Sequence, residues 1–119
     1  MLGYNQVVKH DNHDWDVNSP PALAVTKSGR AIVASANKDG LLSVLDRGSV
    51  TSSTAPAGER IPTVFQSPTT TRENADVPLS RTAPVRFCPG IQGGNEWNGA
   101  AFHPGLNALF TGADRKSTR

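Results

Sequence analysis

Residues 22–46 read ALAVTKSGRAIVASANKDGLLSVLD, and this stretch decides the fold. Three short apolar runs, Ala22 to Thr26, Ala31 to Ala36 and Leu41 to Leu45, alternate with two turn signals. Short runs bounded by turns are the pattern of strands. Lys27-Ser28-Gly29-Arg30 is the first turn. Asn37-Lys38-Asp39-Gly40 is the second, and its Asp-Gly step supplies the positive φ that a tight hairpin needs. Three strands joined by two tight turns make an antiparallel meander. The class is therefore all-β.

Outward from this meander, Tyr4 to Val8 reads as a further strand that could adjoin it, so that residues 3–47 form one unit. Residues 48–83 change character. They are rich in Ser, Thr and Pro, and Pro56, Pro62, Pro68 and Pro78 oppose regular ladders. A long irregular excursion over a surface is expected there. Regular structure is expected again in residues 84–113. It begins at Val85-Arg86-Phe87, passes a glycine-rich turn at residues 89–94, and continues as paired strands at Gly99 to Phe102 and Ala108 to Thr111. The polar end, residues 114–119, reads as a frayed tail. Two meanders around a long loop suggest one or two blades of a β-propeller, which cannot close a ring alone and leave exposed edges.

Bulk composition removes several function classes. The chain has 119 residues, with eleven Gly, nine Pro and 36% hydrophobic residues, which suits strands and turns better than a helical bundle. Twelve Lys and Arg stand against ten Asp and Glu, a net charge of +2. The cations are scattered apart from Arg115, Lys116 and Arg119, so no nucleic-acid-binding stripe is visible. Cys88 is the single cysteine, which excludes an internal disulfide. No run approaches the ~20 apolar residues of a membrane helix. Met1 to Lys9 shows no basic region followed by an apolar core, so no signal peptide is visible.

Three clusters could carry chemistry. The densest is His10-Asp11-Asn12-His13-Asp14-Trp15-Asp16. Alternation along an extended segment puts Asp14 and Asp16 on one side and His13 and Trp15 on the other. Carboxylates and amides of this kind suit a hard cation such as calcium or acid–base work. On residue types alone a solvated loop with Asx turns is the plainer reading. Zinc on His10 and His13 lacks the usual further ligand pair. The second cluster is the turn around Lys38. The third is Gly93-Gly94-Asn95-Glu96-Trp97-Asn98-Gly99, where paired glycines beside an indole could admit a flat ligand, or Trp97 could fill a core between blades.

The order of these clusters resembles the pyrroloquinoline quinone (PQQ)-dependent alcohol and glucose dehydrogenases. Residues 9–16, then three residues, then Pro20-Pro21-Ala22-Leu23 are similar to the family's histidine-aspartate step, tryptophan-aspartate-aromatic-aspartate run, proline pair and strand. Residues 38–47 are similar to its lysine-asparagine-glycine turn and "VLDR" strand end. Cys88-Pro89-Gly90, Gly93-Gly94, Trp97-Asn98 and His103-Pro104 continue the likeness. It spans about Gly3 to Ala113, with the Ser/Thr/Pro loop poorly matched. Each motif is weak alone; their shared order is specific.

The resemblance implies a quinoprotein that oxidises an alcohol or sugar by hydride transfer to PQQ, with Asp14 as the general base. It implies that Lys38 donates to the quinone oxygens and Trp97 lines the cofactor pocket. Asp14 and Asp16 would serve as ligands to calcium, or to a lanthanide, since Asp16 matches an extra carboxylate of lanthanide-using members. It further implies an eight-bladed propeller, a periplasmic setting and a cytochrome or quinone electron acceptor. There are departures. His13 stands where the family has tryptophan, Glu96 stands where alcohol dehydrogenases often have asparagine, and the family's other calcium ligands and vicinal cysteines lie in blades absent here. The expectation is thus a partial propeller, from a truncated or frame-shifted reading frame and inactive alone. The rival is a non-enzymatic PQQ-repeat scaffold fragment, and a free-standing small β-domain ranks last.

Overall fold

The computed structural model of the protein describes residues 3–50 and 59–113. Its strands are β1 (Gly3–Tyr4), β2 (Ala22–Val25), β3 (Ala31–Ala36), β4 (Leu41–Asp46), β5 (Glu59–Arg60), β6 (Thr63–Pro68), β7 (Ala101–His103) and β8 (Ala108–Phe110), with one 3-10 turn at Arg47–Val50. The protein is all-β and mostly antiparallel. The tail assigned to residues 114–119 lies outside the described residues.

The central sheet has the order β2-β3-β4-β6. Its first three strands are the meander expected from residues 22–46. Two glycines set its boundaries. Gly29 has φ of 81° and Gly40 has φ of 76°, and each closes a turn by donating its N–H, to Thr26 O at 2.9 Å and Asn37 O at 3.1 Å. The strands are rich in alanine, a poor strand former by propensity, so packing selects them. Ala24, Ile32, Ala34, Ala36, Leu42 and Val44 form the buried cluster on one face. The β7–β8 hairpin lies against that cluster through Phe102 and Leu109. Small side chains on the sheet let this second layer approach. On the opposite face of the edge strand β2, Leu23 and Val25 are 66% and 55% exposed.

Three expectations need correction. The strand at Tyr4 to Val8 shrinks to two residues and leaves the meander, pairing in parallel with β5. After Tyr4, the Asn5 side-chain amide donates to Ile61 O at 2.7 Å, so a side chain takes over where a ladder would continue. The excursion 48–83 is not irregular throughout, because β6 pairs antiparallel with β4 and completes the sheet. Pro62 and Pro68 bracket β6 rather than interrupt it, and an edge strand tolerates proline at its end. The register slips between Val44 and Leu45, where β6 inserts Val64. Residues 51–58 of the excursion lie outside the described residues. Finally, Val85 to Phe87 is no strand. Glu73 and Cys88 make one isolated bridge, with two N–H···O bonds of 2.9 Å, and Pro84 and Pro89 deny the segment further donors. The second unit is therefore a two-stranded hairpin, smaller than the first.

Among the described residues, no helix is long and apolar enough to cross a membrane.

Candidate functional site

The His10–Asp16 segment is folded by its own Asp11. One carboxylate oxygen accepts the His13 N–H at 2.9 Å and the other accepts the Trp15 N–H at 2.8 Å. His10 and Asp14 sit in the left-handed region, at φ of 50° and 63°, which aspartate tolerates better than most residues. The result is the expected alternation. His13 and Trp15 are buried, while Asp14 and Asp16 face out.

The buried side anchors the segment. His13 stacks on Trp15 with ring centroids 4.4 Å apart and planes 17° from parallel, and Phe87 closes the group at 4.4 Å from His13. The Trp15 indole N–H donates to Gly90 O at 3.2 Å. The His13 Nε2 is buried without a hydrogen-bond partner. His13 is thus a buried aromatic residue of this segment, whereas the plainer reading expected a solvated loop.

On the outward side, the β3–β4 turn delivers Lys38. Its ammonium donates to the Asp16 carboxylate at 3.0 Å and to the Asp14 backbone carbonyl at 3.3 Å. The Lys38 side chain is only 13% exposed, against 63% for Asp16. The hydrogen bond that Lys38 donates to Asp16 raises the Lys38 pKa above its ordinary value. Burial opposes this, and the charges of Asp16, Asp14 and Glu96 add to it. The structure therefore brings Asp14, Asp16 and Lys38 to one end of the meander, with Glu96 close enough to be felt electrostatically. The contact to Asp14 is through its carbonyl, which leaves its exposed carboxylate free of Lys38's hydrogen bonds.

Trp97 is placed differently. It is 76% exposed, so it fills no core here. It lines an open cleft of about 550 Å³ together with Gln92, Gly93, Gly94, Glu96 and Asn98. Neither Asp14 nor Lys38 lines that cleft. The link between the two places is backbone: Gly94 N–H donates to Lys38 O at 2.9 Å.

A second, smaller cleft of about 220 Å³ lies on the buried side of the segment, lined by His10, Asp11, His13, Trp15, Asp39 and Arg72 among others. Sequence reasoning missed its central pair. Asp39 is 3% exposed. Burial pushes its carboxyl above the ordinary aspartate value, while the Leu41 N–H and Arg72 pull the other way and Asp11 adds to the rise. Arg72 lies 3.8 Å from the Asp39 carboxylate, donates to the Asp39 backbone carbonyl, and its guanidinium sits 5.8 Å over the Trp15 ring. Asp39 was visible only as a turn residue, and nothing in the sequence near Arg72 marks it as its partner.

The ligand sets of the resemblance can be tested on these residues. Among the described residues, no group of three or more His, Cys, Asp or Glu side chains converges on one point. Calcium takes about six or more oxygens, and the Asp16 carboxylate is already bonded to an ammonium. Asp14 and Asp16 by themselves do not fit a calcium or lanthanide cage. Lys38 and Trp97, which the resemblance assigns to a quinone, do not line one cleft; the Gly94 N–H to Lys38 O bond links the two places. Compared with protein-family models, curated proteins and solved structures, the chain matches none.

Proposed function

We propose that this chain is part of a quinoprotein dehydrogenase β-propeller that oxidises an alcohol or sugar, and that it is inactive when isolated. The observation that carries this reading is the convergence of the Asp14–Asp16 segment with the Lys38 ammonium, at 3.0 Å from the Asp16 carboxylate. A solvated loop and a free turn have no need to meet. In the proposed reaction Asp14 accepts the hydroxyl proton of the substrate as the carbon-bound hydrogen leaves with its electron pair. Bound PQQ supplies the acceptor for that hydride. Lys38, already held as an ammonium by its carboxylate neighbour, stabilises negative charge developing on an oxygen placed beside it. Trp97 offers an apolar face for a ring system. Calcium, a lanthanide, a periplasmic setting and a cytochrome or quinone acceptor belong to the same reading. A metal cage would need oxygens from outside the described residues.

One feature favours an incomplete propeller as the setting. The sheet leaves Leu23 and Val25 uncovered on one face, where a propeller blade meets its neighbour.

The test is a graft. Residues 9–47 replace the matching segment of a working quinoprotein alcohol dehydrogenase, and the chimera is assayed with quinone, calcium and an artificial electron acceptor. Turnover is expected, and Asp14→Asn should reduce kcat about 10²- to 10⁴-fold while quinone binding persists. A chimera that holds quinone and turns over equally well with Asp14→Asn refutes the assigned base. The isolated chain should show no dye-linked activity, because a base without held substrate loses the positioning that supplies much of catalysis.

A further inference from the structure

We propose that Gly93 is a positioning residue for Lys38, a bare stretch of backbone that fixes the lysine stem and so aims its ammonium at Asp14 and Asp16. Gly93 has φ of 78°, a conformation that side-chain-bearing residues rarely adopt. A Cβ built there would fall on the Lys38 Cα and Cβ and lie 2.6 Å from its Cγ. Backbone presses directly on the base of the lysine stem. Two hydrogen bonds hold the arrangement from either side: Gly93 N–H to Gly90 O at 2.8 Å, and Gly94 N–H to Lys38 O at 2.9 Å.

The consequence is directional. A lysine stem has four rotatable bonds and by itself points nowhere in particular. With its first carbons against the Gly93 backbone, the Lys38 stem is restricted and its ammonium reaches Asp16 Oδ2 at 3.0 Å and Asp14 O at 3.3 Å. Any side chain at position 93 must displace Lys38, because the Lys38 Cα cannot swing aside as a side-chain tip would. The hydrogen bonds weaken steeply once displaced. Gly94 belongs to the same arrangement, since its N–H bonds Lys38 O and a Cβ there would lie 2.9 Å from Gly40 Cα in the Lys38 turn. Gly105, in the β7–β8 turn, serves as the control: a Cβ there would meet the His103 ring, 3.1 Å away at Cε1. The positioning claim concerns this chain alone; only its value for alcohol or sugar oxidation rests on the quinoprotein reading.

The experiment is trace acylation of the isolated chain with an amine-reactive reagent, each lysine quantified by mass spectrometry. Lys38 should react about three- to tenfold more slowly than Lys27, since it is ion-paired and mostly covered. Asp16→Asn should raise the Lys38 rate without disturbing Gly93. Gly93→Ala should bring Lys38 up to the Lys27 rate, and Gly105→Ala should leave it slow. The proposal is overturned if Gly93→Ala leaves Lys38 protected, or if Gly105→Ala frees it equally. A nuclear Overhauser spectrum of the unmodified chain must also place Gly93 Hα against Lys38 Hβ and Hγ. Without those contacts the proposal fails even where Gly93→Ala does not fold. None of these readouts involves a quinone, so failure of the dehydrogenase reading leaves them unchanged.

Discussion

Replacing the two tryptophans separates the structural role from the exposed one. Trp15 is 3% exposed and Trp97 is 76% exposed. Truncating a buried indole to alanine costs about 3–5 kcal/mol through lost burial and the cavity left behind. Trp15 also donates to Gly90 O, but that carbonyl keeps the Gly93 N–H when the indole is removed, so this loss adds little. Trp15→Ala should therefore lose about 3–5 kcal/mol, a large share of the ~5–15 kcal/mol that holds an ordinary domain together. Trp15→Phe keeps an aromatic ring against His13 and gives up the indole N–H, so about 1–2 kcal/mol is expected. Trp97→Ala should stay within about 0.5 kcal/mol, as exposed substitutions usually do. The assay is urea unfolding followed by far-ultraviolet circular dichroism, paired with iodide quenching of fluorescence. Iodide should quench the emission that Trp97→Ala removes and spare the emission that Trp15→Phe removes. A Trp97→Ala cost above that of Trp15→Ala, or a Trp15→Ala cost below about 1.5 kcal/mol, would refute the anchoring role assigned to Trp15.

Two further outcomes are expected. The Asp39 carboxyl is raised on folding, chiefly by burial. Its contribution to stability is full below the unfolded pKa and is lost as pH rises through the folded one. Asp39→Asn keeps an acceptor for the Leu41 N–H and escapes that loss. Its midpoint in thermal unfolding should exceed that of the parent at neutral pH, with the gain vanishing as the medium is acidified below the carboxylate range; the opposite trend would show that the Arg72 pairing outweighs burial. Asn95 is 2% exposed, accepts from Thr69 Oγ1 at 2.8 Å and donates to Thr111 Oγ1 at 3.0 Å and to Gly112 O. Asn95→Ala should cost about 2–4 kcal/mol in urea unfolding, several times the cost of an exposed alanine substitution.

The meander was legible because its limits are set locally. A glycine with positive φ ends each turn, and the apolar runs between them are too short for helices. Strand β6 was hidden by its own prolines, which oppose a ladder in general yet sit harmlessly at the ends of an edge strand. The meeting of Asp14, Asp16 and Lys38 follows from two strands of similar length returning the turn toward its starting end. Arg72 was beyond reach, since its contact with Asp39 spans a long sequence separation and depends on a loop without periodicity. The two tryptophans show the same limit. Alternation groups Trp15 with His13 but does not say which side is buried, and nothing around Trp97 says whether its glycine neighbours fold it in or leave it out.

The end of the sheet that carries Lys38 is defined by polar groups more than by apolar ones. Ser19, Ser35, Asn37, Asp39 and Asn95 are all buried there, while half of the six residues of the buried apolar cluster are alanines. The Ser19 hydroxyl lies 2.6 Å from Ala36 O and 2.9 Å from Glu96 O, joining the last residue of β3 to the loop before Trp97. Asn95 ties that same loop to Thr69 just beyond β6 and to Thr111 just beyond β8. Apolar contacts are non-directional and tolerate sliding, whereas buried hydrogen bonds hold only in one geometry and are costly to leave unmade. The turn bearing Lys38, the loop bearing Glu96 and Trp97, and the ends of β6 and β8 are therefore held in register by directional bonds. A site that must aim one ammonium at one carboxylate gains more from such bonds than from a larger core. Under the quinoprotein reading, that is the reason why buried polar groups among the described residues gather beside Lys38 and Asp16.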